Sequence, residues 1–171
     1  MAMFSLYCDA SGRDQTDLLA VSGFVASAEE WLNFTKQWNL ILKEFDVKYL
    51  HMREFAHSVG QFDGWKNDES KRREFLVSVK DVIERHVQYW VGAVLIKADY
   101  LRVDSDYQFH EHLSPFPLCS FTCVEAVERW RKAHNLLDSS IEYIFERGDQ
   151  HRGQLMDAVK GGNWNCSDFQ R

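Results

Sequence analysis

Three stretches of the chain combine residue types that can do chemistry. Asp9 closes a short apolar run, Phe4-Ser5-Leu6-Tyr7-Cys8, and Ala10-Ser11-Gly12 follow it. A carboxylate at the end of a β-favouring segment is held rigidly enough to serve as an oxygen ligand for a hard cation, and equally it can cap its own turn. The same logic recurs late in the chain. Ile141-Glu142-Tyr143-Ile144-Phe145 alternates and then closes fully apolar, and it delivers Glu146-Arg147-Gly148-Asp149. Between them lie His51 and Glu54, three residues apart at the start of a brief helical piece. That spacing puts a nitrogen and a carboxylate on one side of a helix, although an exposed glutamate and a histidine satisfied by a backbone carbonyl would read the same way.

Other clusters carry weaker signals. Asp104, Asp106, His110 and His112 have metal-ligating side chains, but the polar segment from Asp99 to His112 reads as a plain connecting loop. Lys71-Arg72-Arg73 is either a solvated helix face or a local phosphate contact. Cys8, Cys119, Cys123 and Cys166 lack zinc-site spacing, so buried free thiols are expected, with Cys119 and Cys123 sharing a helix face. No G-x-S-x-G pattern marks a nucleophilic serine.

The elements that position these residues follow from periodicity. Leu18 to Ala26 reads as a second strand forming a hairpin with the first. Ser27 then caps a helix of about five turns whose apolar face is Trp31, Phe34, Trp38, Ile41, Leu42 and Phe45. Val59 to Ser70 reads as a surface loop carrying Phe62 and Trp65, and Glu69 to Arg85 as a second helix. Val87 to Ala98 is apolar enough for a central strand, and Pro115 and Pro117 introduce a long helix over Leu118 to His134. The chain then runs through the Ile141–Phe145 strand and a last helix over Arg152 to Lys160, and it ends in a polar tail with no further element expected.

Composition bounds these readings. With 171 residues, 45% of them hydrophobic, six Trp and twelve Phe, the sequence predicts one globular domain with a substantial core. A formal net charge of −6 gives no whole-protein attraction to phosphate backbones, so nucleic-acid binding requires a local basic patch or bound metal. No apolar run reaches membrane-spanning length and no signal-peptide pattern opens the chain, so a cytoplasmic protein without membrane association is expected.

Taken together, Tyr7-Cys8-Asp9-Ala10-Ser11-Gly12, the hairpin strand with Gly23, Leu50-His51-Met52-Arg53-Glu54 and Ile144-Phe145-Glu146-Arg147-Gly148 resemble the bacterial and phage family catalogued as domain of unknown function number 3800. The resemblance covers most of the chain and is most specific at the Asp-x-Ser-Gly and His-x-x-Glu segments. It implies a ribonuclease H-like α/β fold, a mixed sheet flanked by helices with acids gathered at strand ends. It further implies a nuclease dependent on Mg²⁺ or Mn²⁺, with Asp9, Glu54 and Glu146 as metal ligands, Asp149 as an outer ligand or base, and His51 as a proton shuttle or orienting group. Two departures stand out. Ala10 replaces the family's second acid at the opening, and the C-terminal Gln-x-Ala-Asp-like segment is missing, which leaves Asp149, Asp157 or Asp168 to supply a fourth acid. The alternative is a relative that kept the fold and lost catalysis, acting as a protein- or nucleic-acid-interaction domain in phage defence or a mobile element.

Overall fold

Phe4, Leu6 and Cys8 point to one side of the first strand and are buried, whereas Tyr7 and Asp9 on the other side are exposed. This alternation organises the sheet. In the computed structural model, which describes residues 3–12, 16–146, 152–161 and 165–169, β1 (Met3–Ser11) pairs antiparallel with β2 (Leu18–Ser27) and parallel with β4 (Ser140–Glu146). β3 (Tyr89–Ile96) adds antiparallel to β2, and β5 (Asn165–Phe169) adds parallel to β4. The result is a mixed five-stranded sheet in the order β3-β2-β1-β4-β5. An α/β architecture of this kind matches the coarse expectation from the sequence.

The chain divides into two compact units, Met1–Ala28 with Gln88–Arg171, and Glu29–Val87. The first holds the sheet. One face is covered by α5 (Pro115–Ala133), whose Cys119, Cys123, Val124 and Val127 pack on Phe4, Leu6, Cys8, Val21, Val91 and Tyr143, joined by Leu155 of α6 (Arg152–Gly161). Pro115 starts α5 where a missing N–H costs nothing. Asn135, in the left-handed region at φ 56°, stops it, with the Leu136 N–H returning to the Arg131 carbonyl at 2.9 Å. Cys8, Cys119 and Cys123 are free and buried as expected, and burial pushes the Cys119 thiol up to about 11. Cys166 lies outside the residues whose side chains are described.

A buried polar knot ties α5 to β4. The Tyr143 hydroxyl donates to Glu128, and Arg131 donates to Glu128 at 2.7 Å and to the Ser139 carbonyl. Burial, reinforced by the Glu128 carboxylate, holds the Tyr143 phenol far above its ordinary value, so it remains a donor. Because an ion pair out of water repays its desolvation only when fully hydrogen-bonded, this knot depends on all its members.

The second unit is helical: α1 (Ala28–Glu44), α2 (Met52–His57), a 3₁₀ turn (Gly60–Trp65) and α3 (Glu69–His86). Phe55, Phe62, Trp65 and Phe75 meet pairwise with ring centroids 5.2 to 6.3 Å apart, and Ile41, Leu42, Phe45 and Val79 complete the core. Asp68 caps α3 by accepting the Lys71 N–H at 3.0 Å.

Five sequence expectations change. The segment from Asp99 to His112 is not a loop: α4 (Lys97–Tyr107) and a 3₁₀ turn (Phe109–Glu111) occupy it, held by hydrogen bonds rather than by an apolar stripe, since Tyr100 alone of α4 is buried. Val59 to Ser70 is not a plain surface loop, because a 3₁₀ turn over Gly60–Trp65 carries Phe62 and Trp65 into the core. β3 is an edge strand rather than a central one. The polar tail contributes β5, which pairs with β4. Ser27 belongs to β2 rather than serving only as a cap.

Gly23 explains a close approach in this sheet. It pairs with Cys8, and a Cβ there would lie 2.4 Å from the Tyr7 carbonyl oxygen and 2.6 Å from the Cys8 sulfur. Gly23→Ala is expected to lower stability by about 1–3 kcal/mol, an overpacking cost, read as a drop in thermal midpoint; an unchanged midpoint would show that β1 and β2 can part at this level.

Candidate functional site

Register decides which of the strand-end acids meet. The parallel pairing of β1 with β4 runs from Met3 opposite Ser140 to Cys8 opposite Phe145. Asp9 and Glu146 are the residues that follow this last pair on the two adjacent strands, at the carboxyl ends where ligands of open α/β sheets bind. Asp9 is exposed, and its Oδ1 accepts the Ala10 N–H at 2.8 Å, so it does cap its own turn. Asp149 lies outside the described residues, and Glu146 is described in its backbone position alone. Asp168 pairs with Phe145, one register step short of the Asp9 level, and Asp157 is exposed on α6.

The helical unit holds the second group. His51 precedes α2 in an extended conformation, and its Nδ1 lies 3.2 Å from Glu54 Oε1, so the three-residue spacing does bring nitrogen and carboxylate together. Tyr49, not foreseen from the sequence, donates its hydroxyl toward both Glu54 oxygens at 3.3 Å. The negative charge of Glu54, with a smaller contribution from burial, raises the Tyr49 phenol above its ordinary value. Gly60 closes the other side. Its φ of +62° suits glycine, and a Cβ there would come within 2.8 Å of Glu54 Oε2. Glu54 is thus held between an imidazole, a phenol and a close backbone. The signal for Tyr49 was available as an aromatic donor five residues before the acid, but its extended segment has no periodicity to announce it.

The basic triplet is structural in two of its three members. Arg72 Nη1 donates to the Phe55 carbonyl at 2.9 Å and to Ser58 Oγ at 2.6 Å, with its guanidinium 4.4 Å from the Phe55 ring centroid. Lys71 lies 4.3 Å over Trp65. Helical spacing alone could not distinguish this stapling from a solvated phosphate-binding face.

Among the described residues, no group of three or more His, Cys, Asp or Glu side chains is gathered as a metal cluster. No helix among them is long and apolar enough to cross a membrane. The chain matches no family model and no curated protein.

Removing the Glu54 charge removes what opposes phenolate formation, so Tyr49 is expected to ionise at lower pH in Glu54→Gln than in the wild type. An alkaline absorbance titration, with Tyr49→Phe identifying the Tyr49 component, reads this directly, and coincident curves would dissolve the grouping.

Proposed function

We propose that this chain is a ribonuclease H-like domain that hydrolyses phosphodiester bonds of nucleic acid, with Asp9 and Glu146 holding Mg²⁺ or Mn²⁺. The observation that carries this reading is the β1–β4 register, which sets two acids level at the carboxyl ends of adjacent parallel strands. A mixed sheet with β1 at its centre and β4 beside it supports the fold assignment.

The donor set suits such an ion, since carboxylate oxygens are the ligands Mg²⁺ and Mn²⁺ prefer. When bound, the metal would supply charge neutralisation and an activated water. The chain's own contribution is positional. Asp9 is fixed by pairing with Ser22 of β2, by the doubly paired residue before it and by its bond to the Ala10 amide, so little ordering would remain for binding to impose. Asp149 stays the proposed outer ligand or base. The His51–Glu54 pair is a proton-handling candidate within the helical unit, its Nδ1 held by the carboxylate so that Nε2 faces outward chemistry.

A second reading, a non-catalytic interaction domain, is favoured by one feature of the sheet. Tyr7, Phe24 and Trp90 stand at one register level on β1, β2 and β3, and they are 41%, 41% and 72% exposed. Exposed aromatics aligned across neighbouring strands form a contact surface in their own right.

A ligand that binds only the folded state raises its stability, by about 1.4 kcal/mol at a tenfold excess over Kd, or roughly 3–6 °C for a chain of this size. Millimolar Mg²⁺ or Mn²⁺ is therefore expected to raise the thermal midpoint of the wild type but not of Asp9→Asn, and the substitution is expected to abolish metal-dependent cleavage of single- or double-stranded substrates. An Asp9→Asn protein that still cleaves would sink the nuclease assignment, and a wild type indifferent to both metals would favour the interaction domain.

A further inference from the structure

Among the described residues, β2 is the one strand that pairs with β3, so the other edge of β3 is open. Its sequence, Tyr-Trp-Val-Gly-Ala-Val-Leu-Ile, contains no charged side chain and no proline, in a chain with 20 basic and 26 acidic residues. The register with β2 is unbroken from Leu18 opposite Ile96 to Val25 opposite Tyr89, so no bulge interrupts the strand. Edge strands are ordinarily blunted by one of these three devices, because open N–H and C=O groups template the pairing of another strand. This edge has none of them.

Register also fixes which backbone groups are open. The Lys97 N–H donates to the Asp17 carbonyl at 2.9 Å, one step beyond the Leu18–Ile96 pair. Bonded and non-bonded levels alternate along an antiparallel ladder, so Trp90, Gly92 and Val94 turn their N–H and C=O groups to the outer edge. Their side-chain positions lie on the face opposite Tyr89, Val91, Ala93 and Leu95, which pack on the core. Trp90 and Val94 are 72% and 68% exposed, and Gly92 is exposed too, which for a residue without a side chain means open backbone.

Gly92 has no role inside this chain that demands glycine. It lies outside the left-handed region, and a Cβ there would meet nothing closer than 3.8 Å, in contrast to the tight contacts at Gly23. Glycine weakens a strand interior, and commonly marks the close approach of another backbone. Its position supplies a symmetry. Gly92 stands midway between Trp90 and Val94, so a second β3 laid antiparallel along the edge, on a two-fold axis through Gly92, sets Gly92 opposite itself and each Trp90 opposite Val94 of the other copy. The open residues of the two strands then bond to one another. Each indole gains a β-branched cross-strand neighbour, and the glycine pair leaves the space between the two rings clear.

We propose that this chain forms a two-fold dimer through β3, joining two sheets into one. A foreign strand would satisfy the same backbone groups, but a second copy brings the order Val94, Gly92, Trp90 that complements Trp90, Gly92, Val94 in reverse. It also closes the edge, since such a pairing is isologous. An uncharged strand lets copies of a chain of net charge −6 meet without like charges in contact.

Sedimentation velocity on the whole chain, up to millimolar concentration, tests this. A reversible dimer is expected. Gly92→Lys and Gly92→Glu each place like charges directly opposite across the axis, and each is expected to weaken dimerisation about tenfold or more. Both should melt like the wild type at concentrations where all three are monomeric, because the added Cβ has room. An equimolar mixture of the two variants is expected to dimerise more tightly than either alone, as opposite charges then meet at the axis. A wild type that stays monomeric, variants that dimerise as well as the wild type, or a mixture no tighter than either variant alone would overturn the proposal.

Discussion

The double pairing of β1 is the constraint on which the sheet unit depends. With β2 antiparallel on one side and β4 parallel on the other, each residue of β1 from Phe4 to Cys8 has its level fixed twice. A slip of one residue would turn Phe4, Leu6 and Cys8 out of the core and bury Tyr7 and Asp9 in their place. Burying an unpaired carboxylate in that exchange costs far more than the hairpin could recover. The position of Asp9 at the sheet's end is therefore a consequence of core packing several residues earlier, and the level it shares with Glu146 follows from the same register.

The helical unit obeys a different logic. Five aromatic rings supply half of its buried residues, and rings of that size leave gaps that aliphatic side chains and cation stems must fill. Arg72 does this twice over, covering the Phe55 ring while its guanidinium satisfies the Phe55 carbonyl and Ser58. The same helix α2 that brings Phe55 inward carries Glu54 outward, so the position of Glu54 beside His51 and Tyr49 is tied to how firmly the aromatic core grips its neighbour.

The sequence disclosed those parts whose physics is local. Strands β1, β2 and β4 were legible from β-favouring apolar runs bounded by turn residues, α1, α3 and α5 from stripes of three- and four-residue spacing, and the His51–Glu54 contact from spacing within one turn. Other parts depend on partners distant in the chain. Segment α4 has one buried residue and is fixed by Tyr100 to Leu113 and by Asp104 to His110, while the turn that carries His110 is held by Gln154, 44 positions further on. β5 is polar and takes its conformation from the free edge of β4. Phe62 and Trp65, set among glycines and charges, have no apolar pattern around them, yet a 3₁₀ turn carries both into the core. The Asp104 and His110 pair was visible as a cluster of metal-ligating types. Only the folded turn shows that the two bind each other.

A net charge of −6 bears on the proposed phosphodiester substrate. Long-range attraction is absent, so any such recognition must come from groups at contact distance. β1 and β4 are parallel, so Asp9 and Glu146 lie at their carboxyl ends, and Phe116 in the first turn of α5 meets Phe145, the residue before Glu146, with ring centroids 6.5 Å apart. The positive end of α5 and the acid pair of the sheet therefore belong to the same end of the unit. A carboxylate pair by itself repels a phosphodiester. The partial positive charge at the start of α5 offsets part of that repulsion without changing the register that places the acids.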